Sequence, residues 1–277
     1  MKKFIYNLFA LVAFTLGALT LTACGDDGDG GTSGGGGSSD GGSSSGTGTT
    51  FQGAKRVFGD VLLKGIYNET DNINEVWTFD GNGFPTKITS THPTKTLQII
   101  PTYYDGKMIC NTYSGELLVG QYVVTIGSNG YASKIDIVDE KGNAESCTLT
   151  YNDDEQLSTI TWGTNDVTQL TYSGGDVISI NDNGSITNIA YESPTQSKIT
   201  NTSSFVLWDD MLSVDLDDLQ ELHFAGLLGK APKHLPLSYI KNSTTYTIHY
   251  EFDSNGRVTM FTKTRDSYSY DVLRITW

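Results

Sequence analysis

The stretch that decides the fold is IGSNGYASKI at residues 126–135, because its pattern recurs along the chain. An apolar residue comes first, Gly follows four positions later, Ser or Thr seven positions later, and Ile or Phe nine positions later. Asn-Gly pairs tolerate the positive φ angles of tight hairpin turns. The β-branched and aromatic residues after the turn favour an extended strand. The stretch therefore predicts a β-hairpin.

Four more segments repeat this pattern, at residues 79–88, 151–160, 180–189 and 252–261, with Glu155 in place of the glycine in the second of them. Strand-like runs with turn signals between them recur at a spacing of about ten residues, which is typical of antiparallel all-β proteins. These runs are 96–103, 107–113, 117–126, 131–138, 145–151, 157–162, 166–172, 176–181, 186–191, 246–252, 257–264 and 268–277. We therefore predict a mainly β fold, an antiparallel meander that forms a curved sheet or a partly closed barrel.

One segment interrupts the meander and predicts a short helix near residues 214–225. Leucines recur at positions 212, 216, 219 and 222, which is the spacing of one helix face and suggests core packing. Aspartates at 215, 217 and 218 fall in the first turns, where the helix dipole favours negative charge. Gly226 follows the last periodic residue and ends the helix.

The first residues are those of a secretory leader. Lys2 and Lys3 precede an uncharged stretch rich in Leu, Phe and Ala at residues 4–20. The stretch ends in LTAC at residues 21–24, which resembles a bacterial lipobox. We therefore predict a lipoprotein signal peptide at 1–23 and lipid attachment at Cys24, with a plain secretory signal as the alternative.

A tether follows the lipidated cysteine in this interpretation. Residues 25–50 consist only of 12 Gly, 6 Ser, 4 Thr and 4 Asp, so no side chain there can build a core. We predict a disordered tether at 24–50 and a single β domain at 51–277. The early aspartates resemble a surface-export signal in some bacteria and a retention signal in others. The expected location is the outer membrane, lipid-anchored, with the domain exposed at the cell surface or facing the periplasm.

The charge balance restricts the class of partner. The full chain has a formal net charge of −14, from 18 basic and 32 acidic residues. Nucleic-acid binding requires a basic face, so this balance argues against a nucleic-acid partner. The predicted partners are instead the membrane, through the lipid, and a glycan or protein ligand.

The C-terminal part carries a resemblance to a known family. AGLLGK at residues 225–230, Leu235-Pro236, YEFDSNGRVT at 250–259 and RITW at 274–277 resemble the signature of uncharacterised bacterial outer-membrane lipoproteins described as porin-like. The hairpins are also similar, more loosely, to the YD repeats of large β-shell proteins. The resemblance implies a curved, largely antiparallel sheet on a lipid anchor. It implies no catalytic residue.

Catalytic and metal-binding patterns are not evident in the sequence. The four histidines are scattered, and the acidic runs at 153–155 and 209–218 lack calcium-loop spacing, so we read them as turn and cap residues. We predict no cofactor and no metal. Two other functions stay open: a glycan-processing enzyme with a carboxylate pair, and a membrane-inserted β-barrel pore.

Cys110 and Cys147 are the two cysteines of the β domain. In the meander they lie three strands apart, roughly 14 Å at ~4.8 Å per strand, which is too far for a disulfide. We predict buried free thiols unless the sheet curls enough to bring them together.

The aromatic residues suggest a binding function. The chain has 15 Tyr and 4 Trp, and outward rings on a curved sheet can stack on sugars. The candidates for ligand stacking are Trp77, Tyr103, Tyr104, Tyr113 and Trp162. The alternative is that most of them are core residues or cross-strand pairs. The predicted function is a non-enzymatic binding or structural module on a lipid anchor.

Overall fold

A computed structural model describes residues 53–104, 106–139, 141–214, 216, 220–265 and 268–277. The predicted signal peptide, Cys24 and the tether lie outside the described residues. Within them, no helix has the length and apolarity that a membrane-crossing helix needs.

Eighteen strands and three short helices make up the described part of the chain. The strands before the interruption are β1 (Gly65–Asn68), β2 (Ile73–Phe79), β3 (Pro85–His92), β4 (Lys95–Tyr104), β5 (Lys107–Ser114), β6 (Leu117–Ile126), β7 (Ala132–Asp139), β8 (Ala144–Tyr151), β9 (Leu157–Trp162), β10 (Asp166–Ser173), β11 (Asp176–Asp182) and β12 (Ser185–Ala190). The later strands are β13 (Ile199–Thr200), β14 (His234–Leu235), β15 (Ser238–Lys241), β16 (Thr244–Phe252), β17 (Val258–Arg265) and β18 (Tyr268–Thr276). The helices are α1 (Lys55–Phe58), α2 (Trp208–Leu212) and α3 (Gln220–Phe224).

Sixteen of these strands form one closed antiparallel barrel. Each strand pairs with the next along the chain, except that β12 pairs with β15 across an insertion. Closure depends on β1, which pairs with β2 on one side and with β18 on the other, with Gly65 opposite both Val76 and Thr276. The predicted mainly β meander is confirmed. The barrel is fully closed, because a strand that the sequence analysis did not identify joins its two edges.

The repeated segments form hairpin turns as predicted. Gly83, Gly130 and Gly256 have φ angles of 86°, 80° and 76°. Glu155, which replaces glycine in this position, also has a positive φ of 63°. These four turns lie at one end of the barrel, together with α1 and the C-terminal residue Trp277. We call it the entry end, because the chain enters the barrel there.

The two faces of the wall differ in polarity. Alternate residues of a strand point to opposite faces, and in β4 Leu97, Ile99 and Pro101 are buried while Gln98 and Thr102 are not. One apolar cluster contains at least one residue from each of the sixteen barrel strands. The inner face is therefore apolar and the outer face mainly polar.

The segment from 191 to 237 lies between β12 and β15, and buried residues within 205–214 and 222–228 belong to this cluster, while residues 192–198 are exposed. Phe205, Trp208, Leu212, Leu222 and Phe224 are at most 1% exposed. The ring of Phe224 lies edge-on to Trp77 of the wall, with centroids 5.7 Å apart. We call residues 191–237 the inserted segment, and its packing fills the lumen.

The predicted helix near 214–225 is confirmed in its second half only. α3 lies within the predicted range, whereas residues 215 and 217–219 lie outside the described residues. α2 was not predicted, and it precedes Ser213, whose φ of 59° ends the helix in a left-handed turn.

Candidate functional site

Three of the five predicted stacking residues belong to the core. Trp77 is 4% exposed and stacks against Phe79, so neither face of its indole is open to a ligand. Tyr103 packs against the core, and its hydroxyl donates to the Pro85 carbonyl at 3.2 Å. Trp162 also packs against the core cluster. These three residues therefore match the alternative given in the sequence analysis, that the aromatic residues belong to the core.

The other two residues lie on the outer face of the wall. Tyr104 is 74% exposed at the end of β4, and Tyr113 is half-buried on β5. Between them, the amide of Gln121 on β6 donates to Asn111 Oδ1 at 2.7 Å. We call the surface around these side chains the outer patch. It consists of Ile100, Tyr104, Ile109, Asn111, Tyr113, Gln121, Val123 and Val138.

The outer patch is more apolar than the neighbouring wall. On β8 and β9 the outward rows read Thr148 opposite Thr161 and Thr150 opposite Thr159. On the outer patch, Ile109 lies opposite Val123 instead. Paired residues of adjacent strands share a face and contact each other, so β4 to β7 present a continuous mixed surface.

Two clefts of the described surface bear on ligand binding. The outer cleft, of about 460 Å³, is lined by residues of β1, β2 and β18. Gly65 is one of the lining residues, and a Cβ there would lie 2.6 Å from the Glu75 carbonyl oxygen, so a side chain does not fit. The end cleft, of about 350 Å³, lies at the entry end. Of the residues that line these two clefts, Glu75 of the outer cleft is the single acidic one. Its carboxyl group lies on the inner face of the wall, where Ser90 Oγ is 3.5 Å away, and burial raises its pKa.

A buried ion cluster joins the inserted segment to the wall. Lys263 of β17 is 4% exposed, and its Nζ lies 2.5 Å from Asp210 Oδ1 of α2 and 2.9 Å from Asp271 Oδ2 of β18. Burial by itself lowers the pKa of Lys263, but the carboxylates, chiefly that of Asp210, raise it above its usual range. The cluster holds α2 against the wall, and only its lysine is fully buried, since the side chains of Asp210 and Asp271 are 26% and 15% exposed.

His223 of α3 is fully buried among aromatic rings. Its Nε2 lies 3.0 Å from the Ser204 carbonyl, and Phe58 and Trp208 pack edge-on against the imidazole. Burial lowers the pKa of His223 to about 4, although the Ser204 carbonyl opposes the shift. The imidazole is therefore neutral at pH 7 and is a core residue.

The acidic runs lie in turns and ion pairs. Glu155 binds Arg56 at 2.9 Å and Lys230 at 3.0 Å, while Asp210 binds Lys263. Asp215, Asp217 and Asp218 lie outside the described residues. Among the residues with described positions, no three metal-ligating side chains come together.

The prediction of free, buried thiols at Cys110 and Cys147 is confirmed. Both residues point into the apolar cluster, one on β5 and the other on β8. Burial raises the pKa of each thiol to about 12. Both cysteines are therefore core residues with little thiolate character.

Solved structures show what this fold is similar to. A porin-like protein from Bacteroides uniformis matches with a TM-score of 0.58 and 20% identity, over 77% of this chain and 96% of that chain. A porin-like protein from Bacteroides vulgatus matches with a TM-score of 0.53 and 11% identity, over 78% and 99%. No protein-family description and no curated protein matches the chain.

These similarities confirm the porin-like part of the resemblance found in the sequence. At such identities they show the fold alone. The lipoprotein part of the resemblance and the looser similarity to YD repeats stay predictions.

The sequence analysis did not identify the end cleft. Its hairpin turn at 253–257 was visible as a copy of the repeat, but the other walls come from distant segments. No local signal brings residues 58, 203 and 277 together.

Proposed function

We propose that this chain is a lipid-anchored cell-envelope protein whose barrel is a non-enzymatic binding module for a glycan or protein ligand. The observation that carries the proposal is the filled, apolar lumen inside a mainly polar outer face. A ligand then has access only to the outer wall and to the ends of the barrel.

The distribution of polarity favours this function over a pore. A membrane-spanning barrel has an outward apolar belt and a polar interior. Here the outward rows of β8 and β9 are threonines, while the inward positions belong to the apolar cluster. Placing those hydroxyls against lipid costs free energy. Thr150 has a partner in the Ser158 hydroxyl at 3.0 Å, which offsets this cost for one of the four.

The clefts also favour binding over glycoside hydrolysis. A glycosidase needs two carboxyl groups about 5–10 Å apart across its cleft. Of the residues that line these two clefts, Glu75 is the single acidic one, and its carboxyl group turns away from the outer cleft towards the buried Ser90. The outer patch instead combines two tyrosines with a hydrogen-bonded amide pair, which suits a surface that binds a ligand without transforming it.

The outer-membrane location rests on the N-terminal sequence. LTAC at residues 21–24 follows a charged and then apolar leader, and the described domain begins at the entry end after a Gly- and Ser-rich stretch. A Cys24→Ala variant should move the protein from the membrane to the soluble fraction. A Ser33→Ala variant in the tether is the matched control and should stay in the membrane. Retention of both variants in the membrane would contradict the anchor.

A glycan-array screen tests the binding function. The chain from residue 24 with Cys24→Ala should bind at least one glycan class, and Tyr104→Ala or Tyr113→Ala should weaken that binding if the outer patch holds the ligand. Thr161→Ala, on the outer face away from the patch, is the control. If no glycan binds, the glycan part of the proposal fails. If the protein produces single-channel currents in planar bilayers, it is a pore and not a binding module.

A further inference from the structure

Lys263 is the only lysine that is buried among the residues with described positions, and it is 4% exposed. On β17 it lies between Ile248 of β16 and Asp271 of β18, which are its partners in the two strand pairings. Ile248 is 2% exposed and belongs to the apolar cluster. Asp210 of α2 reaches the same ammonium group from the inserted segment. A primary amine and two carboxyl groups therefore meet where the inserted segment contacts the wall.

Both carboxyl groups touch the amine. Lys263 Nζ lies 2.5 Å from Asp210 Oδ1 and 2.9 Å from Asp271 Oδ2. A carboxyl C–O bond is about 1.2–1.3 Å long, so Asp210 Cγ lies no more than about 3.8 Å from Nζ. Atoms that are held about 3–3.5 Å apart are close to the geometry of bond formation. The amine and the Asp210 carboxyl carbon are therefore within reach of each other.

The protonation of the cluster bears on its chemistry. Burial raises the pKa of Asp210, and the neighbouring Asp271 raises it further, whereas Lys263 opposes the shift. A protonated Asp210 is the form that an amine attacks, because its hydroxyl group leaves as water. Burial lowers the pKa of Lys263, but the carboxylates raise it by more, so the ammonium form is the resting one. Asp271 Oδ2 is placed to take a proton from it, which frees the lone pair of the nitrogen.

We propose that Lys263 and Asp210 form an isopeptide bond within the chain, with Asp271 transferring the protons. Nζ gives one proton to Asp271 and attacks Asp210 Cγ, and the bond from Cγ to the hydroxyl oxygen breaks. One proton stays on the amide nitrogen, two leave with the oxygen as water, and the last stays on Asp271. No oxidant, reductant or further substrate enters this balance.

The bond joins α2 to β17 and closes a covalent loop over residues 210–263. The described geometry is that of the reactant, the ion-paired chain. The reactant and the product differ in mass, so a measured stability can be assigned to one or the other. The inference does not depend on the proposed binding function.

Burial separates this cluster from an ordinary surface pair. Lys134 and Asp136 also lie in contact, at 2.6 Å, but their side chains are 47% and 42% exposed. Water stabilises both charges there, so neither the free amine nor the protonated acid forms readily. Lys134 is therefore the matched control for Lys263.

Mass spectrometry tests the bond on the chain from residue 24 with Cys24→Ala, kept folded at neutral pH. We expect the intact mass to be lower than the sequence requires by the mass of one water molecule. A tryptic digest of this product should contain residues 199–230 joined to residues 258–265, because trypsin does not cleave after an acylated lysine.

Three variants assign the reaction to the cluster. Lys263→Arg keeps the positive charge but has no amine to acylate, so the mass loss should disappear. Asp271→Asn keeps the size of the side chain but accepts no proton, and it should slow the mass loss about a hundredfold. Lys134→Arg should lose one water molecule at the wild-type rate.

Two results would overturn the inference. One is a chain that keeps the full mass of its sequence and yields no joined peptide after days of incubation. The other is a mass loss that persists in Lys263→Arg, which would place the dehydration at another residue. The first result needs no variant, so the test holds even if Lys263→Arg folds poorly.

Discussion

Strand β9 of the wall and helix α3 of the inserted segment are of similar length but bury different fractions of their residues. β9 has six residues and buries Leu157 and Ile160, whereas α3 has five residues and buries Leu222, His223 and Phe224. A wall strand has hydrogen-bonded neighbours on both sides and needs only one apolar face. A helix packed inside the wall has apolar neighbours around most of its surface, so a buried polar residue such as His223 needs a partner inside the core.

The largest expected effect is the loss of an aromatic ring from the inserted segment. Phe224→Ala should lower the free energy of unfolding by about 3–5 kcal/mol, because Phe224 packs against Trp77, Phe58 and Phe205 and the cavity cannot collapse. Thr161→Ala on the outer face of β9 should change it by less than about 0.5 kcal/mol. Urea denaturation of the two variants measures the difference. Equal midpoints would mean that the inserted segment does not support the wall.

The next effect concerns the ion cluster that joins the two regions. Lys263→Met should cost about 3 kcal/mol, because it leaves the partly buried carboxylates of Asp210 and Asp271 without a cation. The matched control is Lys134→Met, which breaks an exposed pair with Asp136 and should cost less than about 1 kcal/mol.

The loss at Lys263 should shrink as the pH falls. Burial already raises the pKa of Asp210, and without Lys263 the carboxyl group takes up a proton more readily. Thermal denaturation of the variant and of the wild type across a pH series checks this. If Lys263→Met lowers the stability by the same amount at pH 7 and at acidic pH, the unpaired carboxylates are not the cause of the loss.

His223 makes the stability of the inserted segment depend on pH. The pKa of His223 is about 4 in the folded chain against 6.5 in the unfolded chain, so the unfolded chain binds more protons between these values. The free energy of unfolding is therefore highest above pH 6.5 and decreases as the pH falls from 6.5 to 4. The total decrease due to His223 is about 3 kcal/mol.

A His223→Gln variant isolates this contribution. It should flatten the wild-type slope in that pH window, as followed by urea denaturation at fixed pH values. A His249→Gln variant on the outer face of β16 is the control and should keep the wild-type slope. Parallel curves for the wild type and the His223 variant would show that the imidazole is not neutral in the core.

The smallest effect concerns the one repeat turn without glycine. Glu155→Gly relieves the positive φ of 63° but loses the ion pairs with Arg56 and Lys230, so the two changes should cancel to within about 1 kcal/mol. Glu155→Ala also loses the ion pairs, but alanine keeps the strain of a positive φ. This variant should therefore be less stable than the glycine variant by about 1 kcal/mol. Equal stability of the two variants would show that the turn is unstrained.

Much of the wall could be predicted from the sequence because its signals are local. The predicted strand at 117–126 is β6, the run at 157–162 is β9, and the Asn-Gly turns adopt the positive φ angles that the pairs indicate. The first strands were not predicted as separate runs. β1 has only four residues, and its glycine fits because the Glu75 backbone passes close to it.

The outer patch and the end cleft could be predicted only in part. Tyr104 and Trp77 have the same aromatic character in the sequence, and alternation along a strand does not by itself say which face becomes the interior. The end cleft was not predictable, because its walls come from residues separated by up to 219 positions, from Phe58 to Trp277.

The sequence by itself determined the leader pattern, the hairpin repeat, the strand positions and the mainly β class, because turn residues and alternation act within about ten residues. The tertiary structure alone decided that the meander closes, that its apolar face turns inward and that the buried residues of the inserted segment fill the lumen. These features depend on contacts between residues far apart in the chain, such as Gly65 with Thr276 and Lys263 with Asp210. Closure and filling are stabilised because the wall and the inserted segment bury apolar surface against each other. The sequence of one segment alone does not reveal such a contact.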